Sequence, residues 1–319
     1  MKKYLTYIQL VLTALAAVSC TDELKNVEEE LIGQNTVTLA AHKSRIITKA
    51  GLEYSDFDPY TKYMLYSVES GDSYDWDKST MMYDRIGTET DEHLIDYSGN
   101  DIFFSGKKLD FFGATLCSLK SSPENSNNQP PGSPVIDFRM STYGAAFPDL
   151  MYSNNLKNCT AQMGLLEMNF THALSKVQVV ISRQNDKDLE GIKINSVSLV
   201  NCSANGSLDI VGGVWDVDED KTEILISENE LTVTETPVMM KDGNGNDAHA
   251  LIIPNETSKD VISLHIHLTT SNGTSKEFTY PLNASAVMTA DDLTQSEPFI
   301  FNQNQSYVLE VMLLDEGVR

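Results

Sequence analysis

The sequence predicts an all-β protein made of two β-sandwich units. Three observations carry this. Apolar residues recur with period two in short runs bounded by turn residues, and long 3.6-residue periodicity is almost absent. The chain has 319 residues, of which 41% are hydrophobic. At about 100–200 residues per domain, that makes two domains once a leader is removed. Each would be large enough to bury its own core without disulfides. Asn-Gly pairs and proline-rich or glycine-rich clusters then separate the runs, as hairpins and loops require.

The first residues read as a leader. Met1-Lys2-Lys3 is basic, and Leu10 to Val18 is apolar apart from Thr13. That run is too short to span a bilayer and fits a secretory h-region. It ends in Ala17-Val18-Ser19-Cys20, which resembles the bacterial lipobox. On that reading residues 1–19 are a signal peptide and Cys20 is lipidated. Acyl chains then give membrane affinity, at about 0.8 kcal/mol per buried methylene. An ordinary secretory signal with a chance cysteine is the alternative. Residues 20–34 form a tether, and Thr21 to Glu30 is polar and acidic. Acids just after the lipid cysteine resemble the surface-export signal of Bacteroidetes lipoproteins; a plain solvated linker would look the same. The expected location is the outer membrane, lipid-anchored and facing outward.

The strands follow in order. Val37, Leu39 and Ala41 alternate with Thr38, Ala40 and His42. Leu109 to Ala114 is an apolar strand with both faces largely covered. The boundary between an N-terminal sandwich (35–165) and a C-terminal one (166–319) falls near residue 165. Beyond it, Met168, Phe170, His172 and Leu174 occupy even positions, whereas Val177, Val179 and Ile181 occupy odd ones. The phase slips at Ser175-Lys176, so a bulge or a strand crossing between sheets is expected there. Asn205-Gly206 predicts a hairpin between Val197/Leu199 and Leu208/Ile210. Ile262, Leu264, Ile266 and Leu268 form one clean face, with Ser263, His265 and His267 on the other. Asn272-Gly273 predicts a type I′ hairpin returning through Phe278, Tyr280 and Leu282. A short helix is expected at 289–293. The last strand alternates through Tyr307, Leu309, Val311 and Leu313. Residues 121–134 read as a proline-rich loop and Asp242 to Asp247 as a tight polar turn.

Charge narrows the partners. Basic residues number 23 and acidic ones 46, a formal charge of -23. Such a surface repels phosphate backbones, so no nucleic acid is expected. Cys117, Cys159 and Cys202 have no CxxC spacing. Cys117, in an apolar run, reads as a small buried hydrophobe, and any one disulfide among the three has a pair the sequence does not choose.

Chemistry is sparse. No GxSxG, HExxH, P-loop or GxGxxG occurs, so neither an enzyme nor a cofactor is predicted. His265 and His267 lie i, i+2 on one strand and share a face, which suits a metal. No third ligand is identifiable, and a polar outer face accounts for them as well. Asp242, Asn244 and Asn246 match the start of a calcium loop, but Asp247 and Ile253 stand where Gly and Glu are needed. His172 reads as a core histidine satisfied by backbone. Tyr74, Trp76 and Tyr83 cluster with Asp72, Asp75 and Asp77, which suits sugar stacking or partial core burial.

Several landmarks then occur in one order. They are the lipobox, Val37-Thr38-Leu39 leading into Ser44 to Ala50, Leu109-Asp110-Phe111-Phe112, Phe170 to Val177, Leu251-Ile252-Ile253-Pro254 and Tyr307 to Val311. Together they resemble the fimbrillin family of Bacteroidetes, the fimbrial subunits and their Mfa-like relatives. The likeness departs at Asn304-Gln305-Ser306, where the family usually shows a glycine before the final strand.

That resemblance implies two transthyretin-like β-sandwiches, export as a lipoprotein, proteolytic removal of an N-terminal segment and polymerisation by donor-strand exchange. A sandwich missing an edge strand exposes an apolar groove and unpaired backbone, and a strand from the next subunit fills both. Arg45 best matches the family's cleavage position, with Lys49 second; a loop charge that is never cut is the alternative. Little sequence follows the last strand, so either residues 307–314 donate or this subunit only accepts. The preferred role is a tip or accessory subunit, whose partners are other fimbrial subunits and, through the lipid, the membrane. The rival is a monomeric surface lipoprotein that captures glycan or host protein through residues 72–83.

Overall fold

The computed structural model describes residues 37–43, 62–86, 94–97, 104–115, 134–140, 149–255, 260–282, 298–314 and 317–318. Cys20, Arg45, Lys49, Cys117 and the helix expected at 289–293 lie outside them, as do residues 121–133. Regular structure among the described residues is strand, apart from short 3-10 turns.

The first strands are β1 (Thr38–Lys43), β2 (Lys62–Glu69), β3 (Thr80–Ile86), β4 (Leu94–Tyr97), β5 (Leu109–Thr115), β6 (Val135–Arg139), β7 (Met151–Cys159) and β8 (Leu165–His172). All but β6 close into a barrel in the order β1-β4-β3-β2-β5-β7-β8. Period-two alternation decides what each face meets. On β2 and β5, Tyr63, Leu65 and Phe111 point into the barrel core beside Leu39, Met168 and Phe170. Their neighbours Met64, Tyr66, Val68, Phe112 and Ala114 point the other way, into a second and larger core. This is why the 109–114 run is apolar on both faces.

The chain then crosses over. It leaves β8 at His172 and enters β9 (Ser175–Arg183) in a different sheet, which is the physical meaning of the phase slip. The remaining strands are β10 (Lys193–Ser203), β11 (Asn205–Asp209), β12 (Val214–Val217), β13 (Lys221–Ser227), β14 (Leu231–Thr232), β15 (Val238–Met239), β16 (Ala250–Ile252), β17 (Ser263–Thr269), β18 (Ser275–Pro281), β19 (Ser306–Leu314) and β20 (Gly317–Val318). One sheet runs β13-β10-β17-β18, with β14 also on β10. A second runs β15-β9-β19-β20, with β16 also on β9. Val177, Val179 and Ile181 from one and Val197, Leu199, Leu264 and Ile266 from the other meet in the larger core. A third sheet, β12-β11-β6, takes β6 from the first half of the chain.

Both stretches of chain share one topological feature. β1 lies parallel beside β8, and β9 lies parallel beside β19. In each, a first strand is docked alongside a last one.

Two turn expectations need correction. Asn205-Gly206 makes no hairpin: β10 pairs with β13, β14 and β17, and β11 pairs with β12 and β6. Gly206 is present for close approach, since a Cβ there would lie 3.2 Å from the Trp215 ring and 3.1 Å from the Asp216 carbonyl oxygen. Asn272-Gly273 does join a hairpin, β17 to β18, with Leu264 opposite Tyr280. The loop is longer than a type I′ turn, however. Thr270 N–H donates to the Thr274 carbonyl at 2.9 Å, and only Gly273 of the pair has positive φ, at 82°. That matches a type I turn closed by one left-handed glycine.

Candidate functional site

β1 fills a slot between two strands. Its register on β8 runs from Thr38↔Leu165 to Lys43↔Phe170, whereas on β4 it makes only Leu39↔Ile95 and Ala40↔Leu94. Val37, Leu39, Ala40 and Ala41 are all buried. Burial of Val37 and Leu39 contributes about 2 kcal/mol each. The Tyr97 hydroxyl donates to the Val37 carbonyl at 2.8 Å. The expectation of a removable strand at a sheet edge therefore needs restating: β1 has neighbours on both sides. Its removal would open the barrel between β8 and β4. It would uncover apolar positions such as Leu166, Met168 and Phe170, and a row of unpaired N–H and C=O groups along β8.

The last long strand is integral. β19 pairs in parallel with β9 from Ser306↔Lys176 to Leu313↔Arg183, and with the short β20 on its other side. Tyr307 makes edge contacts with Phe299 at 5.5 Å and Phe301 at 5.0 Å. Asn255 fastens that aromatic group from the side, its Oδ1 accepting from Phe301 N–H and its Nδ2 donating to the Phe299 carbonyl. Just before this strand, Asn304 takes φ 57°. Asparagine is among the few residues that tolerate this left-handed region.

The aromatic patch is tied to the core. Tyr74 and Trp76 are half-buried and meet Phe112 at 5.5 Å and 5.7 Å. The Tyr74 hydroxyl donates to Asp110 Oδ2 at 2.6 Å and accepts from Lys157 Nζ at 2.9 Å. Lys157 lies 3.7 Å above the Phe112 ring. Asp110 is buried and also accepts from the Ser70 hydroxyl and from Asn158 N–H. Burial works to raise its pKa, but these hydrogen bonds and the Lys157 charge hold the carboxyl below its usual range. Tyr83 lies on β3 opposite Met64. Sequence reasoning missed Asp110 and Lys157, because the contact spans β5 and β7.

Other expected residues are placed as follows. His172 is buried, and its Nδ1 meets the Asp149 carboxylate. Asp242 Oδ1 accepts from the N–H groups of Asn244 and Asn246, so the polar turn is closed by its own backbone. Cys159 and Cys202 are free and buried, and burial pushes their thiols up to about 11 and about 12. Both are thus poor thiolates.

His265 and His267 project together from β17, their rings 4.4 Å apart. His265 Nδ1 lies 3.2 Å from Glu223 Oε1, and His267 Nδ1 lies 3.3 Å from Glu277 Oε1. The two glutamates come from β13 and β18. The Thr270–Thr274 loop sets Glu277 opposite His267, so a correct hairpin register would have found it.

This architecture defines an all-β protein of several packed sheets. A fimbrial protein from Bacteroides vulgatus shares the fold with a TM-score of 0.59 at 13% identity, over 90% of this chain and 98% of that one. A candidate cell adhesion protein from Bacteroides uniformis does so with a TM-score of 0.55 at 18% identity, over 90% and 96%. No curated protein matches the sequence. The profile of the fimbrillin-like family matches residues 56–318, and the chain belongs to that family.

Proposed function

We propose that the protein is a structural and adhesive subunit of a surface fimbrium, which it enters by accepting a neighbour's strand into the slot filled by β1. The observation that carries this is the position of β1. It is short, apolar on its core face, and bound by parallel pairing to β8 and by only two register pairs to β4. A strand held in this way is replaceable by another of the same pattern, which supplies the same backbone bonds and pockets.

Cys20 anchors the exported chain through lipid, and cleavage after Arg45, or next after Lys49, frees β1. The first–last parallel pairing seen twice supports two transthyretin-like units, with the change of unit at the β8–β9 crossing near residues 173–175 and not at 165. Residues 306–314 are committed to β9 within the chain, which favours an accepting tip or accessory subunit over a donor.

Chain recovered from the assembled fimbrium should begin at Ile46, having lost Cys20 and its lipid with residues 20–45, and should form a stable complex with a subunit bearing a free donor strand. Recovery of only the uncut chain, together with failure of chain cut in vitro to bind such a subunit, refutes this route.

A further inference from the structure

Among the described residues, one set of three metal-ligating side chains brings its ligand atoms within 4.8 Å of one another: His265, His267 and Glu277. We propose that these three bind a single divalent transition-metal ion, with Zn²⁺ the best match, and that Glu223 orients His265 from behind.

The donor set fits. Two imidazoles and one carboxylate, with a fourth position left to water, is a recurrent zinc set. Imidazole also suits Cu²⁺ and Ni²⁺, whereas Mg²⁺ and Ca²⁺ prefer all-oxygen sites. The backbone places these groups without strain. His265 and His267 are i, i+2 on β17 and therefore share a face, and Glu277 is the direct antiparallel partner of His267 on β18. A tetrahedral ion with bonds of about 2.0–2.1 Å holds its ligands about 3.4 Å apart. The 3.3 Å between His267 Nδ1 and Glu277 Oε1 already has that spacing. The Glu277 side chain is 64% exposed, so it is free to turn toward an ion.

Glu223 supplies an outer support. Its Oε1 faces His265 Nδ1 and also accepts from the Ser198 hydroxyl. An imidazole that donates from Nδ1 to a carboxylate presents Nε2 to the metal, the usual arrangement behind zinc-bound histidine. Ser198 on β10 lies opposite His265, and its small side chain lets Glu223 reach across that strand. The chain's net charge of -23 draws cations to the molecule as a whole.

The consequence is mechanical. Among the described strands, β18 ends its sheet and pairs with β17 alone. An ion shared between β17 and β18 would clip this edge strand in place.

The test is titration of the full chain with zinc chloride alone, in excess Mg²⁺ to occupy exposed carboxylates. One saturable equivalent is expected. His265→Ala, His267→Ala and Glu277→Gln should each weaken it by more than about tenfold, and Glu223→Gln by about tenfold. Circular dichroism checks that each variant is folded. Nitrogen hyperfine splitting in the spectrum of the Cu²⁺-loaded wild-type chain reports imidazole ligation independently of any variant. Absence of a saturable site, unchanged binding in a folded His265→Ala/His267→Ala chain, or a Cu²⁺ spectrum without nitrogen ligation would each overturn the proposal.

Discussion

The indole N–H of Trp215 donates to the carbonyl oxygen of Ala173 at 2.9 Å, at the point where the chain passes from β8 to β9. The crossing exposes backbone groups that no ladder pairs, so each needs another partner. Ala173 N–H finds the Leu150 carbonyl at 2.8 Å, and the Leu174 carbonyl accepts from Asn304 N–H at 3.2 Å. Trp215 completes the set while its ring covers Gly206 and meets Phe138 edge-on at 5.9 Å.

Trp215→Phe keeps most of that apolar contact and removes the donor. The Ala173 carbonyl would then be buried without it. The expected loss is about 1–3 kcal/mol, read as a lower urea midpoint with an unchanged slope. A loss below about 0.5 kcal/mol would mean that water replaces the indole there.

Asp110 predicts an acid dependence. Its folded pKa is held down, so its stabilising contribution is complete above the ordinary carboxylate range, near about 3.9, and is lost as pH falls through the folded value. Stability should therefore drop from about pH 4 downward, and Asp110→Asn should flatten that drop. At neutral pH, Asp110→Ala removes the acceptor of Ser70, Tyr74 and Asn158 and should cost about 2–3 kcal/mol. Urea midpoints across the acid range test both parts.

Asn304 meets a backbone requirement for positive φ with a residue other than glycine. Its φ of 57° is strained for most side chains. Asn304→Gly should be neutral or slightly stabilising, whereas Asn304→Ala should cost about 1 kcal/mol. Thermal melts of the two variants test this. Equal melting temperatures would mean that the turn relaxes.

Residues 304–306 also mark where sequence reading reaches its limit. The Ile262–Leu268 face, the two-sided apolar run at 109–114 and the slip at 175 were all legible, because period two is a local signal. Asn205-Gly206 misled, because a hairpin turn and a close approach to an indole both select glycine. The slot around β1 was not legible, since parallel pairing with β8 joins residues more than a hundred positions apart. Glu223 was hidden for the same reason, since strand order sets its relation to His265, whereas Glu277 was hidden by the hairpin register, which a longer loop shifts from that of a type I′ turn.

The strand slot yields the most direct prediction, because its affinity and its selectivity have separate sources. Backbone bonds to β8 and β4 are indifferent to sequence, whereas the pockets that hold Val37, Leu39 and Ala41 are not. Leu39 is fully buried between its register partners Leu166 and Ile95. In the intact chain, Leu39→Ala should cost about 2–4 kcal/mol through the cavity it leaves. In chain cut after Arg45 and freed of β1, a labelled peptide copying residues 36–44 should rebind in a fluorescence anisotropy titration. The same peptide carrying Leu39→Asp must bury a carboxylate without a partner, and its binding should be lost. Thr38→Ala, at a position only half-buried, should leave binding within about threefold. If the Leu39→Asp peptide binds as well as the native one, the groove reads backbone alone and cannot select its donor by side chain.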